Sequence, residues 1–211
     1  GVKIHPWLYW HVNFWNMMVD KKVEGNPLPI SVTEVAHLRD NEWLLQQSLI
    51  RSEELNKGII GFGARRLGKS GFISSFTAFN ATTIYGGELR VDSIVGGSQE
   101  DLDNITSYID FGLDKIHPFF KMDKVGKDWS KGVTLGTRNV DNTKEIYSTI
   151  TVTNINKGAI SSSQKPAGAT PKSSIWDEIG KFSFMKAFNA FKYSIATQYG
   201  WRTTPLLFGC L

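Results

Sequence analysis

The chain has 211 residues, of which 41% are hydrophobic and 21% are charged, and this composition excludes a mainly disordered protein. Its net charge of +4 is too small to indicate a nucleic-acid partner by itself. Cys210 is the single cysteine, so an internal disulfide is excluded, and the sequence has neither a signal peptide nor a run of about 20 apolar residues. We therefore expect a cytoplasmic protein without a membrane partner.

The N-terminal stretch is too aromatic for a solvated tail. Trp7, Trp10, Phe14 and Met17 or Met18 recur at helical spacing, which predicts an amphipathic helix that packs on the rest of the chain. A surface that binds a partner or stacks on nucleic-acid bases is the alternative.

Two segments follow before the most informative motif. Residues 21–29 contain a glycine, an asparagine and two prolines, which predicts a loop. A second helix is expected from about Val32 to Glu54, with leucines at helical spacing on its apolar side. We therefore divide the chain into an N-terminal helical extension, residues 1–30, and a main domain, residues 31–211.

The sequence over residues 63–70 matches the P-loop pattern G-x-x-x-x-G-K-[ST] at each fixed position. An apolar, strand-like run from Gly58 to Phe62 precedes it, and apolar residues at helical spacing follow it. In a P-loop, backbone N–H groups and the start of a helix surround phosphate oxygens. Because the strand and helix stand where the motif requires them, a phosphate site is favoured over a glycine-rich turn that binds nothing.

Consecutive residues of this motif are expected to surround the phosphates: Gly63, Ala64, Arg65, Arg66, Leu67, Gly68, Lys69, Ser70 and Gly71. Lys69 is expected to reach the β- and γ-phosphates, and the Ser70 hydroxyl to bind Mg²⁺. A generic P-loop needs neither arginine. We expect Arg65 to contact the triphosphate, whereas Arg66 is equally compatible with such a role, in cis or toward a neighbouring subunit, and with a solvated charge.

Strands and helices alternate through the rest of the chain. The clearest helix is expected after Ser98, where apolar residues repeat every three or four positions until Pro118 ends it. Apolar periodicity, β-branched residues and turn residues predict the remaining elements: strands Leu89–Val95, Gly132–Leu135, Ile146–Thr153, Ser174–Trp176 and Pro205–Leu211, a loop over residues 157–174, and a helix that carries Phe184 and Phe188. This order predicts an α/β fold with a mainly parallel sheet flanked by helices and a ligand at the carboxyl ends of the strands.

An acidic pair, Asp177-Glu178, follows the predicted strand Ser174–Trp176. Hydrolysis of a nucleoside triphosphate needs a carboxylate near Mg²⁺ and a group that activates water. We therefore expect Asp177 to hold the metal and Glu178 to act as the base. The alternative is a helix N-terminus, where the dipole favours acidic residues. Asp110 is a competing carboxylate, but it falls inside the predicted amphipathic helix.

The run Ala64-Arg65-Arg66-Leu67-Gly68-Lys69-Ser70, together with Trp176-Asp177-Glu178, resembles the ATPase domain of the large terminase subunit, the motor that packages DNA into tailed phages and herpesviruses. The resemblance implies a P-loop ATPase of the additional-strand, RecA-like type over residues 31–211. It also implies that Arg65, Lys69 and Glu178 serve catalysis and that Ser70 and Asp177 hold Mg²⁺.

The activity implied by the resemblance is ATP hydrolysis that drives double-stranded DNA into a viral procapsid in the host cell cytoplasm. The implied partners are DNA, the portal protein and the small terminase subunit, and the implied assembly is a homo-oligomeric ring, with a monomeric fragment as the alternative. Large subunits of this family also carry a C-terminal nuclease. Because no Asp or Glu follows Glu178, we expect a fragment that lacks the nuclease and does not cut DNA.

In this family a segment before the loop senses adenine, and Leu38–Trp43 lies in the corresponding place. The family's glutamine is missing there, unless Gln46 or Gln47 serves instead. Two other functions remain as alternatives. One is a helicase-like, DNA-dependent ATPase, which shares the acidic pair, and the other is a nucleotide-binding assembly module without catalysis.

Overall fold

The computed structural model describes residues 1–63, 68–82, 90–128, 132–155, 173–197, 200–201 and 204–210. The helices in these residues are α1 (Pro6–Phe14), α2 (Asp40–Leu55), α3 (Lys69–Thr82), α4 (Gln99–Lys115) and α5 (Phe184–Ile195). The strands are β1 (Asn16–Lys21), β2 (Ile30–Val35), β3 (Ile59–Gly63), β4 (Arg90–Gly96), β5 (Asp123–Asp128), β6 (Gly132–Arg138), β7 (Lys144–Asn154), β8 (Ser173–Asp177), β9 (Ala196–Thr197), β10 (Gly200–Trp201) and β11 (Thr204–Cys210). Single 3₁₀ turns cover Pro118–Phe120 and Ile179–Lys181.

Seven strands form one sheet in the order β3-β11-β8-β4-β7-β6-β5. The first five are parallel, and β6 and β5 extend the sheet as an antiparallel edge. β11 lies between β3 and β8, where Leu207 is opposite Ile60 on one side and Trp176 on the other. The predicted α/β fold with a mainly parallel sheet is confirmed.

Helices cover both faces of the central strands. Neighbouring residues of a strand point to opposite faces of the sheet, so each strand contributes apolar side chains to both layers. Ile94 of β4 and Ile175 of β8 belong to the core that includes α3 and α4. Val95 and Trp176, the next residue in each strand, belong to a smaller core that includes α5. This arrangement leaves the carboxyl ends of the parallel strands at one edge, where a ligand can approach.

The N-terminal segment is helical over only part of the predicted length. α1 ends at Phe14, because Trp15 has an extended backbone (φ −85°, ψ 124°). Met17 and Met18 therefore lie in β1, which pairs with β2 in an antiparallel hairpin. The prediction of a helix through residue 18 is wrong for these residues, since pairing with β2 satisfies their backbone groups instead. The predicted boundary between residues 30 and 31 falls inside β2.

The second predicted helix begins later than its sequence pattern indicates. Val32 belongs to β2, and α2 starts only at Asp40. Glu42 Oε2 accepts a hydrogen bond from the Arg39 backbone N–H at 2.9 Å, which fixes this start. The predicted start near Val32 is wrong, because the β-branched residues before Arg39 pair with β1 as a strand.

The aromatic residues of the N-terminal segment lie in the core. Trp7, Trp10 and Trp15 are at most 3% exposed. Trp7 Nε1 donates to Ser75 Oγ of α3 at 3.1 Å, and the Trp15 ring covers Gly112 of α4. These tryptophans pack on α3 and α4, so they do not form an exposed base-stacking surface.

Most predicted elements of the second half are present. α4 follows Ser98, whose Oγ accepts a hydrogen bond from the Asp101 N–H, and ends at Lys115 before Pro118. The two predicted strands in this region are present as β6 and β7, which pair as an antiparallel hairpin, and β5, which no pattern predicts, extends it. The predicted loop over residues 157–174 lies outside the described residues except for its last two, which belong to β8. No helix among the described residues is long and apolar enough to cross a membrane.

Candidate functional site

The described residues bound the loop between β3 and α3 at both ends. β3 ends at Gly63 and α3 begins at Lys69. Gly68 has φ +81°, a conformation that favours glycine, and its carbonyl accepts a hydrogen bond from the Phe72 N–H at 2.9 Å. The strand and the helix that a P-loop requires are therefore in place. The expectations for Ala64, Arg65, Arg66 and Leu67 lie outside the described residues.

Lys69 lies beside the acidic pair. Its Nζ donates to Glu178 Oε1 at 2.7 Å and is 3.7 Å from Asp177 Oδ1. The side chains of Lys69, Glu178 and Asp177 are only 16%, 14% and 6% exposed. Their charges therefore interact more strongly than they would in open water. The fold brings the lysine of the loop and both predicted carboxylates to one place.

Asp177 is the last residue of β8 and is almost fully buried. Burial raises the pKa of its carboxyl group, the Lys69 ammonium lowers it, and the neighbouring Glu178 carboxylate raises it. Oδ1 has no hydrogen-bond donor among the described residues. The ion pair with Lys69 offsets part of the cost of burying this carboxylate, and a further cation could offset more of it.

Glu178 has a left-handed backbone conformation (φ 52°, ψ 49°), which is uncommon for a residue with a side chain. Here the chain turns from β8 into the 3₁₀ turn Ile179–Lys181. The Glu178 side chain makes no capping hydrogen bond to this turn and pairs with Lys69 instead. The geometry therefore does not match an acidic pair whose purpose is to cap a helix.

Two cavities meet at Lys69. The larger, about 790 Å³, is lined mostly by polar residues, which include Lys69, Ser70, Glu178, Asp101 and Lys181. The smaller, about 340 Å³, lies between α2, β3 and the start of α3 and is lined mainly by apolar side chains, among them Leu44, Leu45 and Phe72. An apolar cavity that adjoins a polar one suits a ligand with a flat apolar part and a charged part.

The N-terminal hairpin and the start of α2 form the rim of the larger cavity. Ser70 and Gly71 lie in the first turn of α3, and a Cβ on Gly71 would be 3.2 Å from Met17 Cε. A Cβ on Gly68 would be 2.9 Å from Arg39 Nη1. The start of α3 therefore has close neighbours from elements that precede the P-loop in the chain.

Other residues that the sequence raised lie elsewhere. Asp110 Oδ1 accepts a hydrogen bond from Lys124 at 2.5 Å, and Asp110 lines neither cavity. Gln46 is buried, and its Oε1 accepts a hydrogen bond from the His5 backbone N–H at 2.9 Å, whereas Gln47 is exposed. Neither glutamine lines the smaller cavity, but Asn41 and Glu42 do.

Asp101 and Lys181 are site residues that the sequence analysis missed. Lys181 Nζ donates to Asp101 Oδ2 at 2.7 Å across the larger cavity. The Asp101 backbone N–H donates to Ser98 Oγ at the start of α4, while the Asp101 carboxylate accepts from Lys181. No local pattern can pair two residues that lie on different elements so far apart in the chain.

Ser70 and Asp177 are suited to Mg²⁺ by their chemistry. Mg²⁺ prefers oxygen ligands, usually keeps several waters, and binds through one or two carboxylates together with substrate phosphates. Asp177 Oδ1, which accepts no hydrogen bond from the described residues, and the Ser70 hydroxyl at the cavity fit such a partial ligand set. No group of three or more His, Cys, Asp or Glu side chains within the described ranges could hold a metal by itself. Phosphate and water oxygens would have to complete the coordination.

No protein-family model and no curated protein sequence matches the chain. Solved structures do match it. A variant of the large terminase ATPase domain of Thermus phage P74-26 has 16% sequence identity and a TM-score of 0.59, and the match covers 82% of this chain and 65% of that chain. The large terminase of bacteriophage HK97 has 11% identity and a TM-score of 0.63, with 96% of this chain and 36% of that chain covered.

This chain has the fold of a phage large terminase ATPase domain. At these identities the similarity establishes the terminase fold and not an activity. The RecA-like P-loop fold that the motif resemblance implies is confirmed. The chain spans somewhat less than two thirds, 65%, of the P74-26 domain and 36% of the HK97 protein.

Proposed function

We propose that this chain binds ATP with Mg²⁺ and hydrolyses it, as the ATPase domain of a large terminase that moves double-stranded DNA into a viral procapsid. The observation that carries the proposal is the contact of Lys69, at the start of α3, with both Asp177 and Glu178 at the end of β8. A phosphate-binding lysine and two carboxylates are the groups that hydrolysis of a nucleoside triphosphate requires. The terminase fold supports this reading of the site.

Lys69 has two roles in this proposal. Its ammonium binds the β- and γ-phosphates, with the backbone N–H groups of residues 63–71 around them. The same ammonium also pairs with Glu178 at 2.7 Å. Because a triphosphate carries more negative charge than one carboxylate, ATP competes with Glu178 for Lys69. Binding of ATP therefore loosens Glu178 from Lys69 and frees its carboxylate to accept a proton.

Ser70 and Asp177 would hold Mg²⁺ through the Ser70 hydroxyl and Asp177 Oδ1. When bound, the metal supplies positive charge against the β- and γ-phosphate oxygens. Asp177 contributes a buried negative charge whose position is fixed by β8. The attraction of a cation also offsets the cost of burying this carboxylate.

Glu178 is the proposed base that orients and deprotonates the attacking water. Its strained backbone conformation places the carboxylate at the cavity next to Lys69, and such conformations are concentrated at functional sites. A positioned base contributes typically 10²- to 10⁴-fold to a rate. Arg65, and in one of two alternatives Arg66, would add positive charge to the triphosphate from the loop.

The smaller cavity is the proposed place of the adenine base. Its apolar walls suit a flat ring, and it opens at Gly68 and Lys69, so a base there would lie close to the phosphates. Asn41 contributes an amide, which can donate and accept hydrogen bonds with the edge of an adenine. Neither Gln46 nor Gln47 is needed for this arrangement.

The DNA-packaging part of the proposal rests on the terminase fold and the motif resemblance. Double-stranded DNA, a portal protein and a small terminase subunit are the proposed partners, a homo-oligomeric ring is the proposed assembly, and the host cell cytoplasm is the proposed location. A helicase-like ATPase and a non-catalytic nucleotide-binding module are the competing functions. A rate of ATP hydrolysis that depends on DNA would distinguish a catalytic protein from a non-catalytic nucleotide-binding module.

Binding of Mg–ATP, measured by calorimetry, tests the phosphate site. Lys69→Ala should weaken binding by about 10- to 100-fold, because hydrogen bonds to charged groups contribute about 1.5–3 kcal/mol. Lys57→Ala removes an exposed lysine that lies outside both cavities and should leave the affinity unchanged. Equal affinity of the Lys69→Ala variant and the unmodified chain would refute the P-loop assignment.

A further inference from the structure

Lys181 is a second lysine, besides Lys69, that lines the larger cavity. Lys181 is the last residue of the 3₁₀ turn Ile179–Lys181, and its Nζ donates to Asp101 Oδ2 at 2.7 Å. Asp101 lies in the first turn of α4. The cavity is lined by three cationic side chains, Lys69, Arg39 and Lys181, and by three carboxylates, Glu100, Asp101 and Glu178.

The ion pair holds the side of the turn that faces the cavity. The Lys181 backbone N–H donates to the Glu178 carbonyl at 2.8 Å, so a movement of Lys181 is transmitted to the backbone of Glu178. On its other side the turn is held by Ile179, which packs against the cluster around Trp176. Around Gly180 the turn is open, since a Cβ there would meet nothing within 4 Å.

Asp101 is a rigid anchor for this pair. Its backbone N–H is bound by Ser98 Oγ at 3.4 Å, and the next residue, Leu102, is buried in the core. α4 itself is a long helix with a continuous buried face. The carboxylate therefore has a fixed position from which to hold Lys181.

The Lys181–Asp101 ion pair fixes the position of the Lys181 ammonium more than it stabilises the fold. The side chains of Lys181 and Asp101 are 47% and 28% exposed, and ion pairs of this kind add little to the free energy of unfolding. The Asp101 carboxylate raises the pKa of Lys181, and the Glu178 and Asp177 carboxylates raise it further, so the ammonium is also attracted toward them. Without the Asp101 charge, the attraction of the Glu178 and Asp177 carboxylates for this ammonium remains.

We propose that Asp101 is a positioning residue for hydrolysis, which holds Lys181 so that the turn after Glu178 stays in place and the Lys181 ammonium does not pair with the Glu178 carboxylate. This inference rests on the proposed function, in which Glu178 is the base. Asp101 acts through Lys181 and Glu178 and does not act on the nucleotide.

The first test compares rates of ATP hydrolysis among matched variants. Asp101→Asn should lower kcat by at least about tenfold and change KM by less than about twofold, because a misplaced base affects the chemical step more than binding. The double variant Asp101→Asn/Lys181→Met should recover part of that loss, since no ammonium then competes for Glu178. Glu54→Gln breaks an ion pair of equal length, Lys3–Glu54 at 2.7 Å, outside the cavity and should change neither constant.

The second test needs no turnover. Hydrogen exchange of the amides of residues 179–182, measured by mass spectrometry, should be at least about threefold faster in Asp101→Asn than in the unmodified chain or in Glu54→Gln. A merely structural pair would instead lower the thermal midpoint and leave the ratio of kcat between the single and double variants at one.

The outcomes separate this inference from the proposed function. Unchanged kcat together with unchanged exchange in Asp101→Asn would overturn the inference, and so would a double variant as slow as the single one. An unmodified chain that does not hydrolyse ATP would refute the proposed function, and with it the catalytic role of Asp101. The exchange experiment would still show whether Asp101 holds the turn.

Discussion

Asp177 and Glu178 are adjacent in sequence but differ in their surroundings. Asp177 ends a strand, is buried, and has an oxygen without a donor among the described residues, whereas Glu178 sits in a turn and pairs with Lys69. Different surroundings give two neighbouring carboxylates different chemical roles. The proposed roles, a cation ligand for Asp177 and a proton acceptor for Glu178, rest on this difference.

Asp177→Asn should raise the thermal midpoint of the ligand-free chain near neutral pH. Burial raises the pKa of Asp177 above its ordinary value of 3.8, so the folded chain binds this proton more tightly than the unfolded chain. The contribution to stability is therefore present below the ordinary pKa and is lost as the pH rises through the raised value. Asparagine cannot ionise and avoids that loss, so the difference in midpoint should shrink as the pH falls toward about 4.

Asp141→Asn is a control in which the expected change of the thermal midpoint has the opposite sign. Hydrogen bonds from the Thr143 side chain and backbone lower the pKa of this exposed carboxyl group. Its contribution to stability is present above the ordinary pKa and is lost as the pH falls. The substitution should therefore lower the midpoint slightly at neutral pH. A midpoint for Asp177→Asn at or below that of the unmodified chain at neutral pH would contradict the account of its burial.

At the scale of elements, the sequence predicts best where local and tertiary requirements agree. α4 has a cap at Ser98, a regular apolar face and a proline beyond its end, and it forms where predicted. The sequence does not predict the β1–β2 hairpin, because no glycine or proline marks the end of α1. The two strands of the hairpin are defined by their pairing with each other. Tertiary pairing thus overrides a helical pattern of apolar residues around Met17.

Gly112→Ala tests how tightly the N-terminal segment packs on α4. A Cβ at this position would lie 2.0 Å from the Trp15 ring. Overpacking of a core costs about 1–3 kcal/mol, which exceeds the gain of about 1 kcal/mol that alanine brings to a helix interior. We therefore expect a lower free energy of unfolding, measured by denaturant titration.

Gly180→Ala is the matched control, because a Cβ there meets nothing within 4 Å. It should leave the free energy of unfolding nearly unchanged. Adding Trp15→Leu to Gly112→Ala should recover part of the loss, since the smaller side chain leaves room for the new methyl group. If Gly112→Ala is as stable as the unmodified chain, Trp15 does not pack on α4 as described.

At the scale of the whole molecule, the P-loop pattern of residues 63–70 and the acidic pair are enough to predict the fold and the meeting of Lys69 with Asp177 and Glu178. Both motifs stand at the ends of strands, and a parallel sheet brings the carboxyl ends of its strands to one edge. Lys69 and the acidic pair meet there although they lie far apart in the chain. The rim cannot be predicted in this way, because Arg39, Asp101 and Lys181 reach the cavity only through the packing of α2, α4 and the turn after β8.

The most direct test of the central claim is the rate of phosphate release from Mg–ATP, measured with and without linear duplex DNA. Glu178→Gln should bind Mg–ATP normally but release phosphate at least ~100-fold more slowly, as expected for loss of a positioned base. Glu145→Gln, an exposed glutamate on β7, should retain the full rate and the same response to DNA. Equal rates for Glu178→Gln and the unmodified chain would contradict the claim that this chain hydrolyses ATP with Glu178 as the base.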